Sequence, residues 1–325
     1  MTMVASTEAG LAQVQRPRTW IAPVAAFVIV LIVAAVVAPS FFQIANLGNL
    51  SRQVAILGVV AAGQTIVLLV RGIDLSVAAV ISLSMVMVAR VTGGDNSLVW
   101  VAIGIALIMG LLVGLLNAFL VVVRRVPPFV ATLALGVLVA GAQVAWTQGV
   151  PGGEVPSVLA DFGSSRMFGV PLVTVVGVLL VLILGIILKF TIVGRWVYSV
   201  GSNPAAARVA GLPVSTVTTG AYAASAMLAV VTGILLGSYI GYVDAYLGAG
   251  YDLDSIAAAV IGGTTFAGGK GGVGRSLLGA LIIGAALNII VLSGAAEWLQ
   301  LVVKGGVIVL AVAVQSARWG RRNRV

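Results

Sequence analysis

The chain contains no cysteine and no histidine. The first absence excludes disulfides and thiolate metal sites, and the second removes the commonest general base and the commonest metal ligand. Charge is almost as scarce: 8% of the 325 residues are charged, against about 25% in soluble domains. No extended linker or charge-rich segment sets off an extramembrane domain. What remains is 61% hydrophobic, with a mean hydropathy of +1.19. A soluble globular fold is thereby excluded, and one polytopic, all-α membrane domain is expected. The net charge of +9 does not point to nucleic acid. The basic residues cluster at the ends of apolar runs, where they set orientation in a bilayer.

Ten apolar runs are candidate spans: Trp20–Ala38, Val54–Val70, Val77–Val91, Leu98–Val123, Phe129–Thr147, Pro171–Phe190, Val217–Gly237, Ser255–Ala267, Ser276–Ser293 and Trp298–Gln315. A crossing helix needs about 20 residues, with a range of about 17–25, so the third and eighth runs are short. The first run exceeds the apolar core of a cleaved signal peptide, about 7–15 residues, and reads as a retained first helix. Residues 1–19 then form a cytoplasmic tail, 20–317 one membrane domain, and 318–325 a basic cytoplasmic tail. Starting inside, ten crossings leave Arg124, Arg125, Lys189, Arg195, Arg208, Lys270, Arg275 and the C-terminal arginines in the cytoplasm. Asp95, Glu154, Asp161, Asp244 and Glu297 fall outside, as the positive-inside bias requires. Arg52 and Arg166 are the exceptions. The expectation is a multi-pass protein of the cell membrane with both termini cytoplasmic.

Between the sixth and seventh runs lies GSNPAAARVAGLPV, from Gly201 to Val214. Asn203 is a good helix cap and Pro204 suits the first helical position. Alanines, Ala206 among them, favour helix; Gly211 can end it in a left-handed turn, with Pro213 beyond. The result is a helix of roughly 12 Å at about 1.5 Å per residue, far too short to cross a bilayer. The topology puts this knob in the cytoplasm.

Two segments resemble each other: GIDLSVAAVI from Gly72 and GYDLDSIAAAVI from Gly250. The first lies at the inner side of the third run and the second at the outer side of the eighth. Similar segments in opposite orientation are the mark of an inverted repeat, here runs 1–5 and 6–10. Both short spans follow these segments, and broken helices at membrane depth must sit within protein or line a cavity. Asp74, assisted by Ser76, is placed to cap the third span, and Asp252 or Asp254 the eighth; Gly72, Gly262 and Gly263 mark the breaks. A charge facing lipid would cost about 2.5–3.5 kcal/mol, so these carboxylates are expected to face protein. The other intramembrane polar residues, Gln64, Thr65, Asn117, Thr132, Gln143 and Asn288, are neutral. They can tie helices together or hydrogen-bond a neutral polar solute.

GGTTFAGGKGG, from Gly262, looks like a phosphate-cradling loop but is not one. Thr264 stands six before Lys270, where that loop needs glycine, and Gly271 follows in place of Ser or Thr. No nucleophile–base pair, metal constellation or haem ligand set is legible elsewhere.

GQTIVLLVRGIDLSVAAVISL from Gly63, PPFVATLALGVLVAGAQVAWTQG from Pro127, GRWVYSVGSNPAAARVAGLPV from Gly194 and GYDLDSIAAAVIGGTTFAGGKGGVGRSLLGALIIGAALN from Gly250 carry a family resemblance. Together, over about residues 45–315, they resemble the permease subunits of bacterial ribose-type sugar importers of the ATP-binding-cassette superfamily. The resemblance implies a second permease copy, two cytoplasmic ATPase subunits and an external solute-binding protein. It implies that ATP and magnesium are held by the partner ATPases and that this chain binds no cofactor. It also implies that the knob is a coupling helix, with Gly201, Asn203, Pro204, Ala206, Arg208 and Gly211 engaged in ATPase coupling. Gln64, Asp74, Ser76 and Thr132 are the candidates for shaping the translocation path. An ion-coupled secondary transporter, working through Asp74, is the rival reading; a membrane-embedded enzyme is a more distant one.

Overall fold

The computed structural model describes residues 21–150, 152–296, 298–306 and 309. It is built almost wholly of helices: α1 (Ile21–Val37), α2 (Ile44–Leu69), α3 (Val77–Thr92), α4 (Val99–Ala118), α5 (Pro128–Thr147), α6 (Ser157–Ser164), α7 (Leu172–Phe190), α8 (Ile192–Ser202), α9 (Pro204–Val209), α10 (Val214–Ile240), α11 (Tyr251–Ile261) and α12 (Val273–Leu292). Residues 298–306 are helical as well. A π-helical turn, Phe119–Val123, extends α4, and a two-residue hairpin, β1 (Arg166–Met167) with β2 (Val170–Pro171), precedes α7. Six of the helices are long and apolar enough to cross a membrane, and α1 and α3 are shorter apolar helices. The tails at 1–19 and 318–325, and the end of the last expected span, lie outside the described residues.

The core of the bundle is a single helix. Every residue from Val54 to Val70 is buried, and α2 packs against α7, α10, α11 and α12. A helix that is apolar all round is one that protein surrounds. Small residues let the neighbours approach closely: a Cβ on Gly58 would lie 2.5 Å from Leu277 Cδ1, and one on Gly63 would lie 3.1 Å from Ser225 Cα. The lipid-facing elements read differently. In α4, α5 and α7 large apolar side chains such as Leu112, Val137 and Ile186 are exposed, which suits a hydrocarbon solvent.

Helix α2 starts ten residues before the expected Val54, because its polar first turns are matched by neighbours rather than by water. Asn46 and Asn288 exchange two amide hydrogen bonds, of 2.9 and 3.0 Å. Ser51 and Thr174 share a hydroxyl bond of 3.0 Å. Arg52, an exception to the charge bias, donates to Asn49 Oδ1 (2.9 Å) and lies over the Tyr239 ring. Its charge is thus accommodated by the fold, as intramembrane charges must be.

Candidate functional site

The break between α2 and α3 is a closed polar knot. Helix α2 ends with Gly72 N–H bonded to the Val67 carbonyl (2.9 Å) and Arg71 N–H to the Leu68 carbonyl (3.0 Å). This is the six-to-one and five-to-two pairing that closes a helix in a left-handed residue. The left-handed residue here is Arg71, with φ of 68°. Beyond it, Asp74 Oδ1 accepts from Ser76 N–H (3.0 Å) and Ser76 Oγ (2.6 Å). Asn117 Nδ2 donates to Ser76 Oγ (2.8 Å). Thr132 Oγ1 accepts from Leu75 N–H (3.1 Å) and lies 3.1 Å from the Ile73 carbonyl. Gln64, with its amide turned to satisfy both partners, donates to the Asp74 carbonyl (3.0 Å) and accepts from the Asp74 N–H (3.3 Å). Gln64, Asp74, Ser76, Asn117 and Thr132 are all wholly buried. The structure therefore brings Gln64, Asp74, Ser76 and Thr132 together, with backbone groups of the broken segment as their chief partners. Gly72 has a steric reason: a Cβ there would lie 2.5 Å from the Tyr222 hydroxyl.

The second break differs. Helix α11 begins at Tyr251, four residues before the expected Ser255, and its cap is left-handed Gly250 with no side-chain bond. Asp252 and Asp254 therefore stand inside the first turn rather than at the cap, where their charge still suits the helix dipole. Asp254 Oδ2 forms an ion pair with Lys304 Nζ at 2.7 Å, joining α11 to the last helical segment. The helix closes as α2 does, with Thr264 N–H on the Ala259 carbonyl and Gly263 N–H on that of Val260. Gly263 is left-handed at φ of 87°. At Gly262 a side chain would overlap the Arg275 carbonyl.

Helix α9 is the knob. Asn203 Oδ1 accepts from Ala205 N–H and Ala206 N–H, both at 3.1 Å, and Pro204 takes the first position. Asn203 is at once the last cap of α8 and the first of α9. At the far end, Gly211 N–H bonds to Arg208 and Leu212 N–H to Ala207, both at 3.0 Å, with Gly211 left-handed at φ of 78°. Among the residues of α9 only Ala207 is buried. Arg208 points outward, and Val209 is 91% exposed.

Knob and break are joined by one side chain. Arg71 Nε donates to the Gly201 carbonyl and Arg71 Nη2 to the Ser202 carbonyl, each at 2.6 Å. These are the last carbonyls of α8, where a cation is favoured by the helix dipole as well as by the hydrogen bonds. Gly201 must be glycine, because any side chain would overlap the Leu69 carbonyl. From the loop before α12, Gly269 N–H reaches that same Leu69 carbonyl at 2.9 Å. Sequence reasoning missed Arg71 and Val209. For Arg71 a signal existed: it is the first charged residue after an apolar run and directly precedes Gly72.

Comparison with known proteins agrees with this architecture. The family model described as the branched-chain amino acid transport system / permease component matches residues 46–312. The ribose import permease protein RbsC of Escherichia coli K12 is 35% identical over 298 residues, covering 90% of this chain and 92% of its own. RbsC of Bacillus subtilis 168 is 38% identical over 290 residues, covering 88% and 89%. The fructose import permease protein FrcC of Rhizobium meliloti is 34% identical over 291 residues, covering 87% and 80%. No solved structure matches. With a family model spanning most of the sequence and a bundle of membrane-length helices around a buried α2, the chain belongs to this family of transport permease components and is a multi-pass membrane protein.

Proposed function

We propose that this chain is the conduit subunit of an ATP-driven importer for a sugar or a similar neutral polar solute. The observation that carries the reading is the Arg71 link, which ties α8, and through it the exposed α9, to the buried break between α2 and α3. A push on α9 is delivered through α8 and Arg71 to the α2–α3 break. The names of the relatives, ribose and fructose import permeases, support the substrate class.

The remaining parts follow from that reading. Ten spans in two inverted sets of five account for the paired lengths of α2 and α10, 26 and 27 residues, and of the short α3 and α11 behind them. Both termini and α9 face the cytoplasm. Two copies of the chain flank the path, two ATPase subunits seat α9, and an external binding protein delivers the solute. ATP and magnesium stay on the ATPases, and this chain carries no cofactor and performs no chemistry. Gln64, Asp74, Ser76 and Thr132 shape the path at one remove, by fixing the break rather than by touching the solute. Gly201, Asn203, Pro204, Ala206, Arg208 and Gly211 serve coupling, with Val209 as an apolar anchor. The two copies rock between inward- and outward-open states as rigid bodies.

Arg208→Glu tests the coupling role. Uptake by the reconstituted complex should fall at least tenfold while expression and insertion are unchanged; uptake at the normal rate would overturn the assignment. Gradient-driven uptake by the chain alone in proteoliposomes, without ATPase subunits, would instead establish the secondary carrier.

A further inference from the structure

At the end of the bundle that carries α9, an open groove of about 720 Å³ separates α7, α8 and the start of α12. Its rim is cationic: Lys189 from the last turn of α7, Arg195 from α8 and Arg275 from the first turn of α12. No carboxylate lines it, and the Lys304–Asp254 ion pair involves none of these three cations. The rim also has orientation. The Tyr198 hydroxyl and the Arg275 guanidinium both come within 4 Å of the point where a Gly272 side chain would begin. Tyr198 is held there by its bond to the Gly271 carbonyl at 3.2 Å.

The floor is the opposite in character. From Val181 to Phe190 the groove follows α7 for about 13 Å at 1.5 Å per residue. Leu182 and Ile186 on this wall are more than half exposed. Gly185 sits between them, and nothing lies within 4 Å of the position its Cβ would take, so the missing side chain keeps the wall open. A groove with positive charge that no carboxylate of its lining neutralises, Lys189 lying only over the Phe190 ring at 5.0 Å, and bare aliphatic surface running down a membrane-length helix matches one ligand chemistry. That ligand has an anionic head and a hydrocarbon tail.

We propose that this groove binds a phospholipid with an anionic headgroup, its phosphate held by Lys189, Arg195 and Arg275 and one acyl chain laid along Leu182, Gly185 and Ile186. Basic pockets between helices at the cytoplasmic surface are suited to such lipids. The leaflet rests on the orientation proposed above, but the binding itself does not. A protein partner is disfavoured by depth: a soluble subunit cannot follow an exposed apolar wall about 13 Å along a spanning helix. Seated beside α8, the lipid would bear on the same helix whose far end Arg71 grips.

The test uses the full-length chain in mild detergent, titrated with phosphatidylglycerol or with phosphatidylcholine of the same acyl chains, and thermal unfolding is read. Wild type should reach half of its maximal Tm shift at a tenfold or lower concentration of phosphatidylglycerol. Lys189→Gln/Arg195→Gln/Arg275→Gln should lose that preference. Gly185→Trp, with all charges intact, should weaken the response to phosphatidylglycerol several-fold by filling the groove. Glycerol phosphate should produce no shift. Equal responses to the two lipids would overturn the proposal, as would an unchanged response in either variant. A shift with glycerol phosphate equal to that with phosphatidylglycerol would make this a site for free anions and overturn it too. Should the triple variant fail to fold, the lipid comparison on wild type and Gly185→Trp decide. In cell membranes, a photoreactive residue at position 182 should label phospholipid; labelling of a protein instead would make the groove a subunit interface and reject the lipid.

Discussion

The ends of α2 and α11 are closed by the same pair of backbone hydrogen bonds, yet one places arginine where the other places glycine. Gly263 adopts its left-handed conformation at no steric cost, as does Gly211 at the end of α9. Arg71 bears a cost of about 1–2 kcal/mol for the same conformation. A strained residue is retained where its surroundings over-determine it. Here those surroundings are the carbonyls of Gly201 and Ser202, each accepting a short bond from a charged donor. Two such bonds are worth about 1.5–3 kcal/mol each, enough to outweigh the backbone. The contrast separates a helix end that merely stops from one that also holds something.

That contrast can be broken in four places. The largest effect is expected from Gly201→Val, which puts a side chain into the Leu69 carbonyl and removes the seat that Arg71 grips. The variant should yield little or no monodisperse protein on size-exclusion chromatography. Next comes Arg71→Gly, which relieves the backbone and deletes both bonds; the balance predicts a net destabilisation of about 1–5 kcal/mol in detergent unfolding. Uptake should fall much further than ATPase turnover in the complete transporter. If this variant is as stable as wild type and transports normally, Arg71 is only a helix end. Gly263→Ala should cost about 1 kcal/mol, because a Cβ there is strained by the backbone alone. Its uptake should be normal once folded. The smallest effect belongs to the Lys304–Asp254 pair, whose side chains are 27% and 12% exposed. A double-mutant cycle with Lys304→Gln and Asp254→Asn should give a coupling of about 0.5 kcal/mol, held down by partial solvation. A coupling near zero would reduce this contact to incidental proximity.

Local chemistry made some of this readable before any coordinates. The cap at Asn203, the proline after it and the left-handed glycine at 211 act within a few residues of chain, and α9 lies where they put it. The ends of α3, α5, α7 and α12 fall within a few residues of the apolar runs for the same reason. What the sequence concealed depends on distant partners. The start of α2 looks like a loop because Asn46, Ser51 and Arg52 are polar, and only Asn288, Thr174 and Tyr239 make them tolerable in a helix. The Asp-Leu segments look alike, but Asp74 is enclosed among neutral hydroxyls and amides while Asp254 faces an ammonium fifty residues on. Capping was therefore a poor guide at both: α3 starts after Ser76 with no side-chain cap bond, Asp74 Oδ1 binding Ser76 itself rather than the first turn, and Asp254 stands inside α11. The position of Arg71, a charge at the end of an apolar run and just before Gly72, is legible, but its partner 130 positions away is not.

The sheathing of α2 by its neighbours has a bearing on how such a protein can be made. Its middle is packed polypeptide from Val54 to Val70, so a newly inserted copy offers ions and water no axial leak. The purified chain alone is accordingly expected to leave a proton gradient across liposomes intact, as a pH-dye leak assay would read.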